Sequence, residues 1–306
     1  MTRRLFALRD HGNGTLAYDP CAGFVLLAPG VTGGPGLRMF DSSVAATWPI
    51  FSIAESGLPL NICWSPIVQC NLKCPHCLDD KSASQLVRSE RRRVAQLLGQ
   101  AMPLGIDVSG GEPLLLKELP ELLALLENGL TAVSVTTNGW LLSERCQELA
   151  PHVHGIRVSL DGADASAHDH LRGLGSFVRA LGGIRSAVSC DIPVQIQFVA
   201  MKSTLAELPA LLKLARNEGA QGVTVLQLLP IGEASTMWDQ LCSDLEVEEA
   251  LHSAESPSGL SVRFRSRRLA AGFTVVRADG RVWRNDHAAL SISPVRRLQR
   301  ISDLAA

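Results

Sequence analysis

Between residues 60 and 232 short apolar runs alternate with longer amphipathic stretches, and that alternation predicts the architecture. The runs at 60–66, 104–109, 131–137, 155–160, 193–199 and 222–229 have the length and boundaries of strands. Helical patterning falls around 84–100, 118–128, 141–150, 176–189 and 205–218. Within the last of these, Ala210-Leu211-Leu212-Lys213-Leu214-Ala215-Arg216 has apolar residues at helical spacing, and Gly219 follows as a stop. Strands alternating with helices imply parallel βα units. Six such units are too few for an eight-fold closed barrel. The expected fold is therefore α/β, a partial (β/α)6 TIM-like barrel over residues 60–232.

The flanks read differently. Residues 1–59 are rich in Gly and Pro, with strand-like runs at Leu5–Leu8 and Phe24–Ala28. Gly12-Asn13-Gly14 ahead of Leu16-Ala17-Tyr18 has hairpin chemistry, because Asn and Gly tolerate positive φ; Gly33-Gly34-Pro35-Gly36 is a loop on the same grounds. This small β-rich extension either packs on the main body or recognises substrate, and Tyr18 and Cys21 read as packing residues. Residues 233–306 predict a helix at Leu245–Ala254, a loop at Ser256-Pro257-Ser258-Gly259, and strands at Leu260–Phe264 and Phe273–Val276. Ala278-Asp279-Gly280 then turns the chain into Arg281-Val282-Trp283. Arg263, Arg265, Arg267 and Arg268 alternate around Phe264, as a solvated strand face or as a site for an acidic substrate.

Composition narrows the partners. With 306 residues, 46% of them hydrophobic, the chain can bury a substantial core. A formal net charge of −1 gives no electrostatic ground for a nucleic-acid or anionic-membrane partner. Arg9, Asp10 and His11 interrupt any signal-peptide core after Met1-Thr2-Arg3-Arg4-Leu5, and no apolar run reaches membrane-spanning length. Of the eight cysteines, three have metal-ligand spacing and five are scattered, which fits a reducing compartment. The expected location is cytoplasmic.

The chemistry begins at Cys70-Asn71-Leu72-Lys73-Cys74-Pro75-His76-Cys77, directly after the first barrel strand. Thiolates bind soft metals, and a cubane iron–sulfur cluster with one open iron needs three of them. A structural zinc would want four protein ligands. His76 sits between two of the cysteines and would have to share their ion; three buried thiols at a helix start are the plainer alternative. Other unusual residues also fall at strand C-termini: Gly110-Gly111-Glu112-Pro113 after the second strand, Thr136-Thr137-Asn138-Gly139 after the third, and Ser159-Leu160-Asp161-Gly162 after the fourth. Each loop alone reads as an ordinary turn or cap. Together they mark one rim, where parallel barrels carry their chemistry.

On these residues the chain resembles the radical S-adenosylmethionine (SAM) superfamily over about residues 60–232. The run from Val275 to Asn285 resembles the hairpin of SPASM or twitch extensions. The resemblance implies a 4Fe–4S cluster on Cys70, Cys74 and Cys77, with SAM chelating the open iron. Reductive cleavage of SAM would then give a 5′-deoxyadenosyl radical that takes hydrogen from substrate. It also implies that the loop of Gly110, Gly111, Glu112 and Pro113 holds the SAM amino group. Asn138 would have a structural or ligand-lining role, Ser159 and Asp161 would contact ribose or carboxylate, and Arg172 would offer a carboxylate a fixed fork. Gln197 and Leu228 would line the pocket or pack the adenine. His168 and His170 read as solvated residues without a role. Relatives place a cysteine after the SPASM hairpin where Arg284 and Asn285 stand, and Cys242 alone follows Cys190, so a clusterless SPASM/twitch-like α+β remnant is expected. Cys242 is a candidate hydrogen donor to a substrate radical, or an inert buried thiol. The implied partners are a ribosomally made peptide and an electron donor such as flavodoxin or ferredoxin. Alternatives are a radical epimerase or dehydrogenase of a sugar or aminoglycoside, an inert iron–sulfur and SAM binder, and a zinc module.

Overall fold

The computed structural model describes residues 3–12, 14–51, 57–79, 81–270, 273–286 and 288–305. The chain opens with an antiparallel sheet of β1 (Arg3–His11), β2 (Gly14–Asp19), β3 (Phe24–Leu27) and β4 (Gly36–Asp41), in the order β3-β2-β1-β4. The expected hairpin is there, with His11 opposite Gly14 and Gly12 at φ +53°; Asn13 lies outside the described residues. β4 escapes the sequence expectation because it is a half-buried edge strand without clean alternation. Alternating side chains send Phe6, Leu8, Phe24 and Leu26 to one face, where Trp48 covers them just past α1 (Ser42–Ala46). Ala7, Leu16, Tyr18 and Val25 face the other way, onto Leu104 and Ala132 of the main body.

That body is the expected partial barrel. β5 (Asn61–Trp64), β6 (Gly105–Val108), β7 (Ala132–Thr137), β8 (Gly155–Ser159), β9 (Val194–Ala200) and β10 (Gly222–Gln227) run parallel in chain order. Between them lie α2 (Arg88–Ala101), α3 (Leu119–Ala124), α4 (Leu142–Leu149), α5 (Ala165–Arg172), α6 (Ser176–Ser189) and α7 (Leu208–Asn217). α6 shows why these segments are helical: Ala180, Leu181, Ile184 and Ala187 form one buried stripe at helical spacing. Ile106 and Val108, Val133 and Val135, Ile156 and Val158, and Ile196 and Phe198 supply the strands' share of the same core.

The last segment does not stand apart at residue 233. After α8 (Asp244–Ser253), opened by a Ser243–Glu246 capping box, β11 (Ser261–Arg265) pairs in parallel with β10. β12 (Thr274–Val276) then pairs in parallel with β5 at the opposite edge, followed by antiparallel β13 (Arg281–Asn285) and β14 (Ile292–Arg297). One ten-stranded sheet results, and the connection from β11 to β12 seats Leu269 against the Phe6–Trp48 cluster. The strands expected at Leu260–Phe264 and Phe273–Val276 are β11 and β12, whereas β14 is too exposed to signal itself in the sequence.

The N-terminal sheet closes the barrel floor. Buried Asp19 pairs with Arg4 at 2.9 Å and accepts from the backbone N–H of Cys21 and Ala22, which shapes the β2–β3 turn. The turn's carbonyls point into the barrel. Arg157 donates to the carbonyls of Pro20 (2.8 Å) and Cys21 (2.9 Å) and to the Tyr18 hydroxyl (2.9 Å), while pairing with Asp107 at 2.9 Å. Thr224 bonds the Ala22 carbonyl and Arg265 the Gly23 carbonyl. The Tyr18 ring lies over Gly105, where any Cβ would stand 2.1 Å from it. The extension therefore packs on the body through a dedicated set of donors. Arg157→Met strands a carboxylate and several buried acceptors at once, and should cost about 3–5 kcal/mol in urea unfolding. A loss below about 1 kcal/mol would show that the plug does not depend on this residue.

Candidate active site

Inside the barrel lies a cavity of about 660 Å³. Its wall is polar because each strand alternates. Asp107, Thr136, Arg157, Ser159 and Gln197 face inward between apolar neighbours that face the helices. One end is lined by Cys70, Cys74, Cys77, Gly110, Gly111 and Asn138; the other reaches Tyr18, Phe24 and Arg265.

The glycine pair is set by close backbone approach. Gly111 N–H donates to Ile67 O and Glu112 N–H to Gln69 O, both at 2.8 Å, which stitches this loop to the segment leading into Cys70. A Cβ on Gly111 would come within 2.2 Å of Gln69 O, and Gly110 sits at φ +117°. The Glu112 side chain is fully buried and takes no part in the cavity wall. Its carboxylate accepts from Leu114 N (3.0 Å), Thr137 Oγ1 (2.8 Å) and Asn138 N (2.8 Å). Burial raises its pKa, and these three donors only partly offset that. Glu112 thus ties the second loop to the third. Its side chain is a brace between the loops, and Pro113 is likewise buried away from the cavity wall.

Asp161 is also not on the wall. It is fully buried, with Oδ2 at 2.5 Å from Arg172 Nε and 3.0 Å from His76 Nε2, and Oδ1 at 2.9 Å from Val199 N. Burial alone would raise its pKa, but Arg172 and then His76 hold the carboxyl well below the usual range. His76 is the residue that sequence reasoning missed. It is 6% exposed, lines the cavity and, among the described residues, has no partner at Nδ1. Nothing along the chain links it to Asp161. His168 corrects another expectation: far from solvated, it is fully buried on α5 and accepts the Asp161 N–H at Nδ1 (3.2 Å), whereas His170 is exposed.

The three cysteines of the loop are half-buried, unbridged and surrounded by donors. Cys70 Sγ faces Leu72 N at 3.4 Å and Asn138 Nδ2 at 3.8 Å; Cys74 Sγ faces Arg172 NH1 at 4.0 Å. Burial pushes the Cys77 thiol up to about 11 and raises that of Cys70. Donors aimed at sulfur suit thiolates, and a bound cationic centre would offset the burial. Among the described residues no three His, Cys, Asp or Glu side chains converge on a single ion. A cubane asks for less convergence, since each thiolate bonds a different iron. The donor set therefore fits a cluster better than a zinc.

Ser159, Arg172, Gln197 and Leu228 all line the cavity. Cys242 does not: it is 1% exposed and packed in the main core, with Gln240 O at 4.0 Å from its sulfur.

Comparison with known proteins completes the site. The profile of the Radical SAM superfamily matches residues 64–215. The "AdoMet-dependent heme synthase" of Methanosarcina barkeri (strain Fusaro / DSM 804) is 33% identical over 208 residues, covering 65% of this chain and 59% of the relative. "Mycofactocin maturase MftC" of Mycolicibacterium smegmatis (strain ATCC 700084 / mc(2)155) is 29% identical, with 65% and 52% covered. The chain thus spans little more than half the length of these curated relatives. Among solved structures, Streptococcus suis SuiB bound to precursor peptide SuiA superposes with a TM-score of 0.63 at 16% identity, over 74% of this chain and 59% of that one. That likeness supports the partial-barrel fold.

Proposed function

The chain belongs to the radical SAM superfamily, and from that premise we propose that it is a radical enzyme acting on a ribosomally made peptide. Cys70, Cys74 and Cys77 would hold a 4Fe–4S cluster, and SAM bound at its open iron would supply, on reduction, the 5′-deoxyadenosyl radical that takes hydrogen from substrate. The observation that carries this reading is the shared cavity: the donor-surrounded cysteines, the Gly110–Gly111 loop and Arg172 line one end of a chamber with room beyond them for substrate.

The residues divide the work. Asn138 and Arg172 donate toward the cluster thiolates, which tunes the cluster rather than gripping SAM alone. Asp161 fixes Arg172 and His76 from behind. The Gly110–Gly111 backbone gives a ligand close access, and the β2–β3 turn, held by Arg157, packs across the floor of the chamber. The peptide assignment draws support from the names of the mycofactocin maturase and of the SuiB–SuiA complex. A small-molecule substrate is the second reading, favoured by the N-terminal sheet packed across the cavity floor and by the name of the haem synthase relative. An electron carrier such as flavodoxin or ferredoxin would serve either reading.

The test is anaerobic reconstitution with iron and sulfide, then SAM and dithionite, with 5′-deoxyadenosine measured by mass spectrometry. Cluster-dependent 5′-deoxyadenosine is expected. An intact cluster that neither binds nor cleaves SAM would replace this reading with that of an inert iron–sulfur protein.

A further inference from the structure

The cavity floor holds two arginines in opposite electrostatic states. Arg157 is complete: Asp107 neutralises it, and Tyr18, Pro20 and Cys21 take up its donors. Arg265 has the Gly23 carbonyl and the face of Phe24, whose ring centroid lies 4.5 Å from its guanidinium carbon. Among the described residues it forms no ion pair, and the nearby Asp107 is already held by Arg157. Burial, and then repulsion from Arg157, bring its pKa down to about 10, so it remains a cation at neutral pH. Arg265 is half-buried, and among the described residues no carboxylate pairs with it; hydrogen bonds to carbonyls satisfy its geometry without cancelling its charge. β11 carries this side chain to the cavity wall, beside Phe24, Val25, Ile50 and Leu269.

We infer that Arg265 is the anchor for a carboxylate group of the substrate, bound at the floor of the cavity, away from the cysteines. The inference rests on the reading of this cavity as the reaction chamber, and names the class of group that enters it. The corner suits a monoanion: among the described residues Arg265 is a guanidinium without an ion pair set beside apolar Phe24, Val25, Ile50 and Leu269, and one carboxylate balances it. The carboxylate comes from a peptide's acidic side chain or C-terminus, or from a small carboxylic acid. In each case the anchor holds the substrate so that its other end reaches toward the cluster loop.

The test uses three probes of similar shape on the reconstituted protein: 4-fluorobenzoate, neutral 4-fluorobenzamide and 4-fluorophenyl phosphate, followed by ¹⁹F NMR line broadening. The wild type should broaden the benzoate and leave the benzamide sharp. Arg265→Gln should weaken benzoate binding at least about tenfold, while Arg265→Lys, which keeps the charge, retains part of it. Circular dichroism and cluster absorbance establish that each variant is folded and loaded. Unchanged benzoate binding in Arg265→Gln, or benzamide bound as well as benzoate, overturns the inference. Tighter binding of the phosphate overturns the monoanion assignment. The assay needs no SAM cleavage, so an inactive protein that binds benzoate through Arg265 would sink the proposed reaction and leave the anchor standing.

Discussion

Replacing any one of Cys70, Cys74 and Cys77 by alanine should abolish both cluster assembly and SAM cleavage, while leaving the barrel folded. Each thiolate in a cubane site bonds its own iron, so the remaining two cannot share the vacant position. No substitute stands ready. Cys63 also lines the cavity, but it sits on the β5 wall rather than on the loop, and burial beside Asp107 keeps it a neutral thiol. The loop cysteines themselves are only half-buried and lie outside the main core, so losing one costs little packing. Iron and acid-labile sulfide per protein, visible absorbance after reconstitution, and circular dichroism measure the two halves of the expectation. A single alanine variant that keeps the full iron and sulfide load would refute the ligand assignment. Asn138→Ala makes a graded companion: it removes a donor from Cys70 and should lower the cluster potential without emptying the site.

The barrel was legible in the sequence because its strands are short and its helices carry continuous apolar stripes; α6 spans 176–189 in both readings. The cysteine loop was legible because its ligands are local. What stayed hidden was non-local. Asp161 and His76 are far apart along the chain, and nothing at either position announces the other. Glu112 looks like part of a ligand loop until its three donors are seen to come from its own turn and from the strand beside it. The polar chamber could have been read earlier. Val133-Ser134-Val135-Thr136, Ile156-Arg157-Val158-Ser159 and Val194-Gln195-Ile196-Gln197 each alternate with period two, which in a parallel barrel means a wet interior. Arg265 needed the structure, since only its place beside β10, over Phe24, turns a surface-like arginine run into a half-buried cation on the cavity wall.

Asp161→Asn should be the most destabilising single-atom change at the site. The amide can still accept the Val199 N–H through Oδ1, but its NH2 group would replace Oδ2, where Arg172 Nε and His76 Nε2 both approach. A buried guanidinium would then lose its counter-charge, at a cost of about 3–5 kcal/mol in urea unfolding at neutral pH. A change within about 0.5 kcal/mol would mean that solvent or another group compensates Arg172. The pH profile separates Asp161 from its neighbour His168. Because the Asp161 carboxyl is held below its ordinary value, its contribution is full above the unfolded value of about 3.9 and is lost as pH falls further. His168 is kept neutral by burial first and Arg172 second, with its pKa lowered from 6.5 to about 4. Its contribution is therefore full above the unfolded value and drains away between those two values as the unfolded chain takes up the proton, on the order of 3 kcal/mol in all. The wild type should accordingly lose stability in two stages on acidification. Asp161→Asn should start from a lower plateau, keep the first stage and lose the second, an outcome that generic damage to the fold would not produce.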